Sequence, residues 1–184
     1  MTSDLALLRH YAEIWRGRPE HGPVAVLHIG AGHTTFMWGK SPDHYASLQL
    51  GAGSGSTAGD HFRHSPPTPL ELENAIAAVE DQIMRVRALL PQGGMLYSAD
   101  PAILGLARLA GVSGDMLPVQ EVERVFSRLA AVSLGAPASL EQLPTDAALY
   151  ATALILRELM HHLGYASIAL RTAPRTDASD QSGK

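Results

Sequence analysis

The sequence predicts an α/β fold in which helices pack on a mixed β-sheet. The predicted elements follow the order helix, three strands, helix, strand, three helices and strand, which is typical of α/β sandwiches. Tight turns join the first three strands, so these should be antiparallel, whereas the last two follow helices and should be parallel. Hydrophobic residues make up 46% of the 184 residues, enough for one substantial core. We therefore expect a sheet of about five strands.

An amphipathic helix is predicted over Ser3–Arg16, where apolar residues recur at helical spacing until Gly17 ends the pattern. We assign this helix and a linker to residues 1–22 and a single lobe to residues 23–172. Residues 173–184 should form a disordered tail, because they are polar. The residues on the apolar face of the helix are Leu7, His10, Tyr11, Ile14 and Trp15.

Three short strands rich in β-branched and aromatic residues follow, at Val24–Ile29, Thr34–Trp38 and Tyr45–Leu50. Their tight connections predict an antiparallel meander. The next segment, Gly51–Gly59, holds glycines among alanine, serine and threonine residues. It forms either a flexible loop or the start of a helix built from small residues.

The clearest predicted helix begins after Thr68, because Thr68 and Glu71 form a capping-box pattern and Pro69 suits the first turn. Apolar residues then alternate at spacings of four and three as far as Leu90, on one helix face, and Pro91 ends the helix. The remaining predicted elements are a strand over Met95–Ser98, a helix from Pro101 to Leu109 capped by Asp100, a helix over Val119–Leu134, a helix over Asp146–Leu163 capped by Thr145, and a strand over Ser167–Leu170.

The composition excludes several classes of protein. The net charge is -4 and the pI about 6.1, so no basic face indicates nucleic-acid binding. The absence of cysteine excludes disulfides and thiolate metal sites. No apolar run has the length of a signal peptide or a membrane span. The preference for arginine over lysine is typical of a GC-rich bacterial genome. We expect a cytoplasmic protein that binds neither nucleic acid nor membranes.

The first two strands meet at a glycine turn, Gly30-Ala31-Gly32, which is followed by His33 and Thr34. Successive N–H groups in such a turn form a nest for anions, so this segment is a candidate to hold a phosphate or sulfate. The alternative interpretation is a tight hairpin in which the glycines serve only the backbone angles. Because a short Gly-x-Gly is a weak signal, both interpretations stay open from the residues alone.

His28 and His33 flank this turn, and imidazole binds transition metals or exchanges protons near neutral pH. No carboxylate or cysteine lies close in the sequence to complete a metal site, so we predict no metal here. Asp100 and Asp146 precede or open predicted helices, and N-capping or first-turn charge explains both. We assign no catalytic residue.

Two further histidine pairs are weak candidates for a metal site. His61 and His64 are three residues apart, but Pro66 argues against a stable helix there. His161 and His162 are adjacent on a predicted helix and point about 100° apart, so they do not readily share a metal. We predict a polar loop for the first pair and a favourable helix-end charge for the second.

The element order and several motifs together resemble the second lobe of the exopolyphosphatase and guanosine-pentaphosphate phosphohydrolase family (Ppx/GppA). That lobe opens with Asp-Ile-Gly-Gly-Gly-Ser-Thr, where this chain has His28–Thr34. It continues with Ser-Leu-x-Leu-Gly-Ala, which Ser47–Ala52 matches, and with a proline-containing stretch and a long helix, as at Ser65–Leu90. Ser98–Asp100 stands where the family has a Gly-Gly-Thr turn, and Asp146 is all that remains of an Arg-Ala-Asp-like motif.

This resemblance implies a ribonuclease-H-like, actin-like single lobe over roughly Val24 to Arg171, with Gly30–Thr34 as its second phosphate loop. Two departures concern that loop. His28 stands where the family has a metal-associated Asp, and the loop reads Gly-Ala-Gly-His where Gly-Gly-Gly-Ser is usual. The first lobe of the family, which carries the other phosphate loop and the catalytic Glu, has no counterpart in the sequence.

These departures favour a degenerate, non-catalytic lobe that binds a phosphorylated ligand or a partner protein. The alternative is exopolyphosphatase or guanosine-pentaphosphate phosphohydrolase activity completed by dimerisation or by a separate first-lobe chain, and Mg²⁺ is expected only in that case. A homodimer, or cover by the Ser3–Arg16 helix, would protect the lobe face that the first lobe covers in the family.

Overall fold

The computed structural model describes residues 2–17, 24–141 and 143–171. The strands are β1 (Val24–Ile29), β2 (Thr34–Ser41), β3 (His44–Leu50), β4 (Leu96–Ser98), β5 (Met116–Pro118) and β6 (Ser167–Leu170). The helices are α1 (Thr2–Gly17), α2 (Ser54–His61), α3 (Pro69–Val86), α4 (Pro101–Leu109), α5 (Val119–Ser133), α6 (Ala138–Glu141) and α7 (Ala147–Leu163), with a 3₁₀ turn at Arg87–Leu89.

The strands form one mixed sheet in the order β3-β2-β1-β4-β6-β5. The β1–β2 and β2–β3 pairs are antiparallel and the β1–β4 and β4–β6 pairs are parallel, as the sequence predicts. The sheet has one strand more than expected, because β5 pairs antiparallel with β6 at one edge. Its three residues are too few to show a strand periodicity, so the sequence does not reveal it.

The carboxyl ends of β1, β4 and β6 lie side by side, because these three neighbouring strands are parallel. The β1–β2 loop and the turn between β4 and α4 therefore meet at the same edge of the sheet. In open α/β sheets this edge is the usual place for a ligand.

The larger core lies between the sheet and a layer formed by α2, α3, α4, α5 and α7. Helix α7 is central in this layer and contacts the other four helices. Its apolar residues run around the whole helix, a pattern typical of a buried helix, and Tyr150, Leu154 and Leu159 are fully buried. Glu158 is buried among them and forms an ion pair with Arg157.

Helix α1 packs on the opposite face of the sheet, as its apolar periodicity indicates. Tyr11 and Ile14 are buried against β1 and β2. The Tyr11 hydroxyl donates to the Ser41 carbonyl oxygen at 3.1 Å, and the Tyr11 ring lies 5.6 Å from the Tyr45 ring. Part of this face is therefore covered by a helix of the same chain.

The helix starts follow the predicted capping patterns with one exception. The capping box of α3 is confirmed, because Thr68 Oγ1 accepts from the Glu71 N–H at 3.3 Å and the Glu71 carboxylate accepts from the Thr68 N–H at 2.7 Å. Helix α7 is capped by Asp146, whose carboxylate accepts from the Ala148 N–H at 3.1 Å. The prediction of Thr145 as the cap is wrong by one residue, because the carboxylate at position 146 already reaches the free N–H of the first turn.

Within the described ranges, no helix is both long enough and apolar enough to cross a bilayer. The predicted linker before residue 23 and the predicted tail over residues 173–184 lie outside the described residues. The cytoplasmic location and the absence of a nucleic-acid partner stay predictions.

Replacing Gly39 with alanine should loosen the contact between α1 and the sheet. A Cβ at Gly39 would lie 2.6 Å from Tyr11 Oη and would also meet the His44 carbonyl oxygen, so we expect the free energy of unfolding to fall by about 1–3 kcal/mol. Urea denaturation measures this. The matched control is Gly32→Ala, whose Cβ meets nothing within 4 Å and should change stability by no more than about 0.5 kcal/mol. Equal midpoints for the two variants would contradict the close approach of β3 and Tyr11 to Gly39.

Candidate functional site

The first turn of α2 docks on the loop between β1 and β2. The Ser54 N–H donates to the Gly30 carbonyl oxygen at 2.9 Å, and the N–H groups of Gly55 and Ser56 both donate to the Ala31 carbonyl oxygen at 2.8 Å. The first N–H groups of a helix otherwise lack intrahelical partners and attract anions. In α2 these groups are already satisfied by the loop, so the helix N-terminus is not itself the anion site.

In the middle of the loop the carbonyl groups are hydrogen-bonded, whereas two N–H groups have no acceptor among the described residues. The Gly32 carbonyl oxygen accepts from Ser56 Oγ at 3.0 Å, so the carbonyl groups of Gly30, Ala31 and Gly32 all have donors from α2. Ala31 and Gly32 are exposed, and their N–H groups have no hydrogen-bond acceptor among the described residues. The carbonyl groups of the loop are therefore bound within the protein, whereas two N–H groups of exposed residues are left without an acceptor in the described part of the chain.

The two ends of the predicted phosphate segment are engaged within the fold. The Gly30 N–H donates to the His33 carbonyl oxygen at 3.0 Å and closes the hairpin. Thr34 is fully buried, and its hydroxyl donates to the Ala52 carbonyl oxygen at 2.6 Å. Of the five predicted residues, Ala31 and Gly32 are thus the most accessible, with the half-buried His33 beside them.

The glycines of the loop are not explained by backbone angles. Strands β1 and β2 form the predicted tight hairpin, which the Gly30 N–H closes, but neither Gly30 nor Gly32 has a positive φ. The glycine that the loop requires is Gly53, where a Cβ would lie 2.5 Å from the Ala31 carbonyl oxygen. Gly53 immediately precedes α2, so the Gly51–Gly59 segment forms the start of a helix of small residues and not a flexible loop.

His28 and Asp100 form a pair directly beside the loop. His28 Nδ1 lies 3.2 Å from Asp100 Oδ2, the His28 side chain is 29% exposed and that of Asp100 only 4%. Asp100 Oδ2 also accepts from the Ile29 N–H at 2.8 Å, and Asp100 Oδ1 accepts from the Ala102 N–H at 2.9 Å, which caps α4. The hydrogen bond to Asp100 raises the pKa of His28 above its ordinary value of 6.5, although burial opposes the shift.

Ser98 fixes the position of this carboxylate. Its hydroxyl donates to the Leu27 carbonyl oxygen at 2.9 Å and accepts from the Asp100 N–H at 3.1 Å, so the turn before α4 is tied to β1. The sequence predicts the capping role of Asp100 correctly but misses its contact with His28. The available signal was indirect: an N-cap that follows a strand parallel to β1 must lie near the carboxyl end of β1.

Solved structures with the same architecture are known. The Ppx/GppA family member from Aquifex aeolicus matches with a TM-score of 0.73 and 16% identity, over 91% of this chain and 58% of that chain. An exopolyphosphatase-like protein matches with a TM-score of 0.70 and 15% identity, over 93% of this chain and 61% of that chain. An exopolyphosphatase from Cytophaga hutchinsonii matches with a TM-score of 0.64 and 14% identity, over 91% and 58%. No protein-family model and no curated protein sequence matches the chain.

This chain has the Ppx/GppA fold. The predicted ribonuclease-H-like lobe and the predicted resemblance are thereby confirmed at the level of architecture. The chain spans about three fifths of the length of these structures. At this identity the match concerns the fold alone.

The residues beside the loop do not fit the Mg²⁺ ion that the Ppx/GppA resemblance implies for an active enzyme. Mg²⁺ requires hard oxygen ligands in octahedral geometry, and imidazole is a poor ligand for it. The nearest carboxylate is that of Asp100, and both of its oxygens already accept backbone N–H groups. Among the described residues no group of three or more His, Cys, Asp or Glu side chains is placed to hold a metal ion. We derive no step through a metal.

In each of the other two histidine pairs, one histidine forms a local ion pair with a glutamate. His64 Nδ1 lies 3.0 Å from Glu71 Oε1, whereas His61 ends α2. His162 Nε2 lies 3.4 Å from Glu158 Oε2, and the neighbouring His161 is exposed. Neither pair forms a site with the loop.

A cavity of about 530 Å³ opens next to α2 and is mostly apolar. It lies between the first turns of α2 and α7 and one side of α4. Ser54 connects the cavity to the β1–β2 loop, because it lines the cavity and its N–H donates to the loop. The other residues that line the cavity are Ala102, Gly105, Arg108, Leu109, Pro144, Asp146, Ala148, Leu149 and Thr152.

Asp100 should contribute more to the free energy of unfolding than an ordinary helix cap does. Asp100→Ala should lower the free energy of unfolding by about 2–4 kcal/mol, because it removes a cap and leaves the buried Ile29 N–H without an acceptor. Asp146→Ala removes an equivalent but exposed cap and should cost about 0.5–2 kcal/mol. Chemical denaturation of both variants checks this. An Asp100→Ala loss no larger than that of Asp146→Ala would contradict the proposed tie between β1 and α4.

Proposed function

We propose that this lobe binds the phosphate group of a phosphorylated ligand at the Gly30–Thr34 loop and does not hydrolyse it. The observation that carries the proposal is the polarity of the loop. Its carbonyl groups are bound by α2, while the N–H groups of Ala31 and Gly32 are exposed without an acceptor among the described residues. Successive unpaired N–H groups of this kind can donate to an anion, and the imidazole of His28 lies beside Gly30 in the same loop.

The acidic residues near the loop support binding without hydrolysis. Attack of water on a phosphoanhydride requires a base and a cation that screens the phosphate charge. The carboxylate of Asp100 is buried and bound to two backbone N–H groups, so it is poorly placed to accept a proton from water. Hydrolysis completed by dimerisation or by a separate first-lobe chain stays the alternative.

The apolar cavity favours an organic phosphate over inorganic phosphate. It adjoins the loop through Ser54, and it has the size of a small-molecule site. A ligand with its phosphate at Ala31 and Gly32 would extend an apolar or aromatic group past Ser54 into the cavity. We therefore propose an organic phosphate as the ligand class.

Pyrophosphate titration tests the phosphate loop. We expect pyrophosphate to bind the wild-type protein and to raise its melting temperature, and Gly32→Val to weaken binding about tenfold or more, because a branched side chain would shield the exposed N–H groups. A Cβ at Gly32 meets nothing within 4 Å, so the variant should fold normally. Gly59→Val is the matched control, since Gly59 is equally unobstructed but lies in α2.

The same proteins distinguish the alternatives. No heat and no thermal shift at millimolar pyrophosphate would remove the phosphate-loop proposal and leave a partner protein as the ligand of this lobe. Incubation with Mg²⁺ and polyphosphate or guanosine pentaphosphate should release no phosphate above the blank. Release that disappears in Gly32→Val would instead establish the hydrolase alternative.

A variant that fills the cavity tests the organic part of the ligand. Gly105 lies in α4 with open space around its Cβ position, so Gly105→Leu should fold and should occupy the cavity. We expect it to leave pyrophosphate affinity unchanged and to weaken binding of a nucleoside diphosphate about tenfold. Gly105→Ala is the control, because a single methyl group leaves most of the cavity open. If the wild type, Gly105→Leu and Gly105→Ala bound the nucleoside diphosphate with equal affinity, the cavity would not be part of the ligand site.

A further inference from the structure

We propose that His28, held by Asp100, is the cationic contact to the phosphate, so that this lobe binds its ligand through an imidazolium group and without a metal ion. The proposal rests on the phosphate site proposed above and adds the group that supplies its positive charge. It also makes binding depend on pH.

The orientation of the His28 ring is the first argument. Nδ1 faces Asp100 at 3.2 Å, which leaves Nε2 on the opposite edge of the ring. That edge lies against the loop, because a Cβ at Gly30 would be 3.5 Å from His28 Nε2. The side chain is partly exposed, and Nε2 has no hydrogen-bond partner in the described part of the chain.

The second argument is that Asp100 is fixed. Both of its oxygens accept backbone N–H groups, from Ile29 and Ala102, and Ser98 holds its own N–H. A carboxylate held in this way orients the imidazole and stabilises its protonated form. When His28 is protonated, Nε2 carries an N–H that donates to an anion; when His28 is neutral and Nδ1 donates to Asp100, Nε2 only accepts.

Within the described residues, the charged group in contact with His28 is Asp100. Asp100 approaches it from the turn before α4, and His33 lies on the β1–β2 loop. Thr35, its partner across β2, is buried and neutral. Asp100 raises the pKa of His28 above 6.5, and a bound anion would raise it further. Because the protonated form binds, affinity is full at low pH and is lost as pH rises through the pKa of His28.

The experiment follows the His28 ring and the affinity together. Sulfate is the first probe, since its charge does not change between about pH 5 and about pH 9, and pyrophosphate is the second; EDTA is present in both of these titrations. We expect saturating sulfate to raise the NMR-measured pKa of His28. We expect sulfate affinity to fall roughly 10- to 100-fold between about pH 6 and about pH 9.

Two variants and one control complete the test. His28→Gln keeps a polar side chain without the charge and should weaken sulfate binding about tenfold or more at about pH 6. Asp100→Asn removes the negative charge and, because an amide has one acceptor oxygen, also leaves one of the two backbone N–H groups facing its NH2, so the variant is compared only where circular dichroism shows it folded. In the folded variant the loss of affinity should move to lower pH, a shift that lost stability alone would not produce. His161→Gln, at an exposed position in the last turn of α7, should bind as the wild-type protein does.

The outcomes separate this inference from the proposed function. Sulfate binding that is equal at both pH values or that leaves the His28 pKa unchanged would overturn the imidazolium contact and leave the phosphate site standing. A parallel titration without EDTA and with Mg²⁺ is the third arm, and binding seen only in that arm would have the same consequence. Absence of binding of either probe at any pH would overturn both. A His28→Gln protein that is folded by circular dichroism and binds as tightly as the wild type would also overturn the contact.

Discussion

The buried carboxylate of Asp100 joins three parts of the molecule at the edge where parallel strands end. One oxygen accepts from the Ile29 N–H at the end of β1, and the other caps α4 through Ala102. The first oxygen also faces the imidazole of His28. A buried carboxylate is stable only when its acceptor capacity is used, so each partner is part of what keeps the others in place. The position of the β1–β2 loop relative to α4 follows from this one group.

The β1–β2 loop and the first turn of α2 satisfy each other's unpaired backbone groups. A helix start has free N–H groups and an exposed turn has free carbonyl groups, and here each satisfies the other. This requires a close approach that only Gly53 permits, since a Cβ there would press on the Ala31 carbonyl oxygen. The consequence is a loop whose three carbonyl groups are bound by α2, while the N–H groups of Ala31 and Gly32 have no acceptor in the described part of the chain.

Much of this fold is predictable because its signals are local. The periodicity of α1 and the Thr68–Glu71 capping box are each contained within a few turns of chain, and β1 to β3 show as short apolar runs between glycines. The site is less predictable because its decisive contacts are distant. Ile29 and Asp100 are separated by 71 positions, so the sequence shows a capping aspartate and an isolated histidine but not their pairing. The requirement for Gly53 likewise appears only when α2 meets the loop.

The pairing also changes what His28 means for the site. Without a partner, a histidine in place of an acid would remove a metal contact and leave the loop with only weak backbone donors. Backed by Asp100, it forms a pair that is neutral overall when protonated and carries one negative charge when not. A phosphate on the loop would meet the imidazolium edge first, with the carboxylate behind the ring, and Coulomb attraction falls with distance, so the nearer positive group dominates. When the imidazole is neutral, the pair repels the phosphate, because only the carboxylate charge remains. The charge of the His28–Asp100 pair beside the loop is therefore decided by one proton on His28.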